Sequence, residues 1–282
     1  MFLRLFKMLQ TFRKVHEINM ALDKYFIMGN ESRKKARLSA ADVMGLIDYT
    51  NLRAFSTDEQ IKELVNRAAR LGTYAVCILP EHALLARNEI ERGKLNLKLA
   101  VTVDYPLGGG LEDGRIGEIK SLIGIADEID AMMRIGALKS RRFKEVENDM
   151  VALTQMAHSG DMRIKMIIET AYLTEKEKLR ACEMALEAGV DFIKTSSGYA
   201  EKDYTVRMGN TSTGATVDDV KLIAAVSKRM KKDSVGIKAS GGIRSAGQIL
   251  DLLRASGRKA EPGSFRIGAS SIDNIYDELN MR

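Results

Sequence analysis

Lys194 in DFIKTSSG and Lys238 in VGIKASGG each close a short β-branched run and open onto a Ser/Gly stretch. A lysine at the end of a buried strand keeps its charge at a cost, because desolvation disfavours the ammonium. A second cation nearby pushes the same way, and a neutral amine can then attack a carbonyl carbon. The chemistry implied is a Schiff base: a carbinolamine loses water, and the resulting iminium makes the neighbouring C–H acidic. Lys194 is the expected nucleophile, and Lys238, on the next strand, the cation that assists it and shares in proton transfer. The plain alternative is that both ammonium heads reach water or pair with carboxylates.

Three further features bear on the same chemistry. In DEIDAMM (127–133), alternation puts Glu128, Asp130 and Met132 on one face of a strand. A carboxylate at Asp130 pointing toward two lysines suits a proton shuttle, and equally a buried partner that balances their charge. Three glycine-containing turns, Ser197-Gly198, Ser240-Gly241-Gly242 and Gly268-Ala269-Ser270-Ser271, offer backbone amides of the kind that cradle a phosphate. Cys77 in YAVCILP reads as a small buried hydrophobe that lines a pocket without reacting.

What positions these residues is a repeating pattern. Strand candidates are 45–50, 74–79, 98–105, 127–133, 163–170, 190–196, 234–240 and 264–270, separated by segments of near-3.6 apolar spacing. In the helical segments 57–72 and 174–189, Thr57 and Thr174 are expected N-caps, and both segments end on glycine. Eight β-then-α units predict the α/β class and a (β/α)8 TIM barrel at residues 41–282, with a basic, helical N-terminal extension at 1–40. Barrel sites gather at the C-terminal ends of strands. The expected rim is therefore Asp48, Cys77, Asp104, Asp130, Glu169, Lys194, Lys238 and Ser270.

Composition narrows the function. The chain has 282 residues, a common size for one such barrel. Its net charge of +6 resides in residues 1–40, where nine Lys/Arg face three acids; the remainder carries 35 of each sign. That distribution argues against a nucleic-acid-binding body. The arm MFLRLFKMLQTFRKVH has the pattern of a membrane-surface or targeting helix; the expectation here is instead a helix covering the bottom of the barrel, or a poorly ordered extension upstream of a second possible start at Met20. No membrane span is expected. Two cysteines and three histidines lack metal-ligand spacing, so no metal or other cofactor is expected, and a reducing cytoplasm fits.

The motifs IDYTNL (47–52), AVCILP (75–80), DEIDAMMRIGALKS (127–140), KMIIET (165–170), DFIKTSSG (191–198), GIKASGGIRS (236–245) and FRIGASS (265–271) resemble, in order, those of the deoxyribose-phosphate aldolases. The resemblance implies a metal-free class I aldolase that cleaves 2-deoxyribose 5-phosphate reversibly to glyceraldehyde 3-phosphate and acetaldehyde. It makes Lys194 the Schiff-base lysine, Lys238 the second lysine and Asp130 the proton-transfer carboxylate. It gives the phosphate to Gly198, Gly241, Gly242, Ser270 and Ser271, and the substrate hydroxyls to Asp48 and Thr50. Cys77, Lys165 and Thr195 are implied beside the substrate. Its partners are thus small phosphorylated sugars and aldehydes, with a homo-oligomer as the expected assembly.

Three departures from the family pattern stand out. About ten residues are inserted after Tyr199, where a lid or a reshaped aldehyde pocket is the expectation; Tyr105 takes the place of a more usual Phe; and Tyr49 stands for a common His. A lysine-dependent lyase of another phosphorylated sugar, or a barrel that binds such sugars without turnover, remains an alternative.

Overall fold

The alternating runs of the sequence become eight parallel strands in the computed structural model, which describes residues 38–281. They are β1 (Ile47–Asn51), β2 (Ala75–Ile78), β3 (Lys98–Val103), β4 (Glu128–Met132), β5 (Arg163–Ile167), β6 (Phe192–Lys194), β7 (Gly236–Ser240) and β8 (Phe265–Ala269). Each pairs with the next and β8 pairs with β1, closing a barrel in chain order. The expected (β/α)8 architecture is the one observed. The N-terminal arm lies, up to residue 37, outside the described residues.

The helices are α1 (Ala40–Met44), α2 (Asp58–Leu71), α3 (Ala83–Arg92), α4 (Glu112–Ser121), α5 (Ile135–Lys139), α6 (Phe143–Ser159), α7 (Glu175–Ala188), α8 (Lys202–Arg207), α9 (Val217–Arg229), α10 (Ala246–Ser256) and α11 (Asp273–Asn280). Thr57 and Thr174 cap α2 and α7 as expected, each in a reciprocal pair with the residue three positions on. Such a cap is worth about 1 kcal/mol. Among the described residues no helix is long and apolar enough to cross a membrane.

Strand β6 is shorter than the candidate 190–196, because the chain beyond Lys194 turns to meet other loops. The Ser197 amide donates to the Glu169 carboxylate, and the Ser240 amide donates to Thr195 Oγ1. The insertion after Tyr199 forms α8 and packs on the turn that follows β5. Asn210 Nδ2 donates to the Ala171 and Leu173 carbonyls at 3.0 Å, and the Tyr172 and Tyr204 rings meet edge to face at 5.3 Å.

Close packing inside the barrel depends on one small residue. A Cβ at Gly236 would lie 2.2 Å from the ring of buried Phe192 on the paired strand. Gly236→Ala is therefore expected to lower stability by about 1–3 kcal/mol, read as a shifted midpoint in chemical denaturation. An unchanged midpoint would mean that the ring moves aside freely.

Candidate active site

Alternation along the strands sends a charged set into the barrel, where branched apolar side chains usually pack. Asp48 (β1), Glu128 and Asp130 (β4), Lys165 (β5), Lys194 (β6), Lys238 (β7) and Arg266 (β8) are all buried. Asp130 is their hub. Its Oδ1 accepts from Lys165 Nζ at 2.8 Å, and its Oδ2 accepts from both Lys194 Nζ at 2.7 Å and Lys238 Nζ at 2.6 Å. Lys238 also pairs with Asp48 at 2.6 Å, and Lys165 with Glu128 at 2.6 Å. Arg266 joins Asp48 at 2.6 Å to Glu128 at 2.7 Å, and its guanidinium stacks 3.8 Å from the centre of the Tyr74 ring.

The electrostatics follow from that connectivity. Burial works against the Asp48 charge, but Arg266, Lys238 and Lys165 outweigh it and bring the carboxyl down to about 2. Burial likewise opposes the Asp130 charge, and Lys165, Lys194 and Lys238 hold it well below the usual carboxylate range. Burial alone would strip protons from Lys238 and Lys165. Asp130 and Asp48 raise the first above an ordinary lysine, and Asp130 and Glu128 raise the second. Cys77 is pushed up by burial and by Asp130, whose Oδ2 its Sγ meets at 3.7 Å, so it stays a thiol.

A cavity of about 560 Å³ opens above this cluster. Among the lysines of the cluster, Lys194 alone lines it. Thr50, Gly198, Gly241, Gly242, Ser270 and Ser271 line it too, so the three glycine-containing turns converge on one space with the amine. Gly241 has φ +87°, and a Cβ on neighbouring Gly214 would lie 2.2 Å from its carbonyl oxygen; both positions need glycine for this turn to form.

Some residues lie elsewhere than expected. The polar strand ends do not form a single rim. Asp48 and Asp130 sit below it, at the second position of β1 and the third of β4, and Asp48 is absent from the cavity wall. Lys165 is wholly occupied by carboxylates, and Cys77 is fully buried behind the wall. Thr195 is also buried, bonded to β7 through Ser240. Asp104, at φ +50°, turns away to accept from the Gly110 amide and pair with Arg115 at 3.0 Å. None of the inserted residues beyond Tyr199 reaches the cavity, so the expected lid over it is not what the insertion forms.

Sequence reasoning passed over Arg266, and it noted Glu128 only as a face-mate of Asp130. Both were open to the period-2 argument: Arg266 stands two residues before Gly268, Glu128 two before Asp130.

A family model described as DeoC/LacD family aldolase matches residues 38–278. The chain belongs to this family. It is 37% identical over 235 residues to a deoxyribose-phosphate aldolase of Thermococcus kodakarensis, covering 83% of this chain and 95% of that one. With a deoxyribose-phosphate aldolase of Thermoplasma volcanium it shares 35% identity over 243 residues, covering 86% and 96%. The tetrameric deoxyribose phosphate aldolase of Aeropyrum pernix is similar in structure, with TM-score 0.70 and 25% identity over 86% of this chain and 92% of that one. The matched residues contain all eight strands of the barrel.

The depressed Asp48 carboxyl has a consequence for stability. A folded-state value of about 2 against 3.8 means that its contribution is complete above pH 3.8 and lost as pH falls toward 2. Thermal unfolding is expected to drop most steeply across that window. Asp48→Asn should flatten the drop and cost about 3–5 kcal/mol at neutral pH, since it takes one of two buried carboxylate partners from each of Arg266 and Lys238. An equally steep drop in the variant would assign acid sensitivity to other carboxylates.

Proposed function

We propose that this aldolase cleaves 2-deoxyribose 5-phosphate reversibly to glyceraldehyde 3-phosphate and acetaldehyde, through a Schiff base on Lys194. The observation that carries the assignment to Lys194 is its position: it is the cluster's one lysine on the cavity wall, and its nitrogen meets a single carboxylate. Three carboxylates and four cations make up the ion-paired cluster. Loss of one proton balances it, and Lys165, Lys238 and Arg266 are each held more firmly to theirs than free side chains.

In this reading the neutral amine attacks C1 of the open-chain sugar, and the carbinolamine loses water to form an iminium. Removal of the C3 hydroxyl proton breaks the C2–C3 bond, and its electron pair moves into the iminium to give an enamine. Glyceraldehyde 3-phosphate leaves, the enamine gains a proton at C2, and hydrolysis frees acetaldehyde and the amine. Asp130 Oδ2 touches both lysine nitrogens, a position suited to passing a proton between Lys238 and the leaving hydroxyl. The turns at Gly198, Gly241–Gly242 and Ser270–Ser271 would take the phosphate. The names of these relatives support this substrate, and the tetramer of the Aeropyrum pernix protein supports self-association of this chain.

Two measurements test the reading. Cleavage of 2-deoxyribose 5-phosphate, followed by coupled detection of glyceraldehyde 3-phosphate, should vanish in Lys194→Arg and fall by roughly 10²–10⁴-fold in Asp130→Asn. Full turnover by Lys194→Arg would dismiss the assignment. Gly241→Ala is expected to raise KM for the phosphorylated sugar far more than it lowers kcat, because it disturbs the turn and leaves the amine in place; the reverse pattern would remove the phosphate from that turn.

A further inference from the structure

Two tyrosines that share the cavity wall with Lys194 form a structure with no part in the chemistry above. Tyr105, in the loop after β3, and Tyr199, in the loop after β6, both line the cavity. Their rings meet edge to face, with centroids 5.7 Å apart and planes at 89°. Each hydroxyl reaches a different loop. Tyr105 donates to the Ser197 carbonyl at 2.6 Å, and Tyr199 donates to the Leu52 carbonyl at 2.8 Å. Ser197 is itself fastened to Glu169, whose carboxylate accepts from its amide and from its hydroxyl. The loops after β1, β3, β5 and β6 are thus joined at one point by two rings and their hydroxyls.

The place of this clasp gives it a use. Tyr105 packs on buried Leu52, Cys77 and Ala100, an apolar backing contributed by the β1 to β3 side. Cys77 Sγ lies 3.7 Å from the same Asp130 oxygen that bonds Lys194, so the backing adjoins the reactive amine. In a closed ring of eight strands β3 stands across from β7; two of the three glycine and serine turns belong to β7 and β8, and the third, at Gly198 after β6, precedes Tyr199. A substrate whose phosphate rests on the β7 and β8 turns, with its carbonyl carbon at Lys194, meets Tyr105 on its other side, held there by the Tyr199 ring.

We infer that Tyr105 and Tyr199 are specificity-determining residues that limit the donor carbonyl compound to two carbons, by walling off the space that a third would occupy. The inference rests on the proposed Schiff base at Lys194. A ring removed opens the wall, whereas a hydroxyl removed leaves the ring and unfastens it. Phe in place of either Tyr would keep the apolar contact and lose the hydrogen bond of 2.6 or 2.8 Å to the opposite loop. Selection here is steric, and the group excluded is a single methyl or methylene.

The test runs the reaction toward synthesis with glyceraldehyde 3-phosphate as acceptor. Donors are acetaldehyde, propanal and acetone, the last two each one carbon larger. For Tyr199→Ala and Tyr105→Ala the kcat/KM of a larger donor relative to acetaldehyde should rise about tenfold, the scale on which a pocket senses one methylene. Tyr105→Phe and Tyr199→Phe should raise the same ratio by a smaller factor, and they decide the matter if an alanine variant does not fold. Ratios unchanged for both larger donors in the folded variants would overturn the inference, even if all three rates fell together. Borohydride trapping of acetaldehyde on the wild-type protein is run alongside. Absence of an adduct there would defeat the Schiff-base reading itself, whereas an adduct with unchanged ratios defeats only the role of the tyrosines.

Discussion

One carboxylate, Asp130, holds three lysines at once inside the barrel, and the rest of the site is arranged around that fact. Three ammonium groups gathered in a dry interior would be prohibitive without it, since an isolated buried charge costs several kcal/mol or more. Asp130 alone does not suffice. Asp48 and Glu128 take up part of the charge on Lys238 and Lys165, and Arg266 ties those two acids together from the far side. The interior is therefore one ionic assembly rather than a set of separate pairs. Among its lysines, Lys194 is the one that faces the cavity.

The same assembly explains why chemically similar lysines take different parts. Lys165, Lys194 and Lys238 are all buried ends of flexible side chains, on adjacent strands β5, β6 and β7. Their carboxylate partners separate them. Lys194 pairs in register with Lys238, and Lys165 lies two positions below that level, opposite Phe192. The Lys194 nitrogen meets Asp130 alone, whereas Lys238 meets Asp48 and Asp130, and Lys165 meets Glu128 and Asp130 with Asp48 at 3.9 Å. Each further carboxylate holds the proton of Lys238 or Lys165 more firmly. Around the mouth, loops supply what the barrel cannot: glycine turns and tyrosine rings.

Much of this was legible in the residues themselves. The strict alternation of strand and helix predicted the closed barrel, and Gly72 and Gly189 marked the ends of α2 and α7. Lys194 closes β6 as expected, and Lys238 pairs with it in register although β7 runs on to Ser240. What could not be read was depth. Asp48 and Asp130 look like strand-end residues in a sequence, but barrel stagger sets how far below the rim each lies, and stagger is a property of strand pairing across the closed sheet. Arg266 escaped although period-2 spacing from Gly268 put it on the inner face, because an arginine is a rare occupant of a buried interior. The tyrosine clasp escaped for another reason. Tyr105 and Tyr199 are 94 positions apart, and only the loops bring their hydroxyls to Ser197 and Leu52.

The account stands on Lys194, and neither of its buried neighbours, being the amine that meets a carbonyl compound. Its most direct test is a crystal structure of the protein after reduction with borohydride in the presence of acetaldehyde. Density for an ethyl group on Lys194 Nζ, projecting into the cavity, with Lys238 still between Asp48 and Asp130, is the predicted result. An ethyl group on Lys238 or Lys165, or a modified Lys194 swung out of the barrel mouth into solvent, would contradict it.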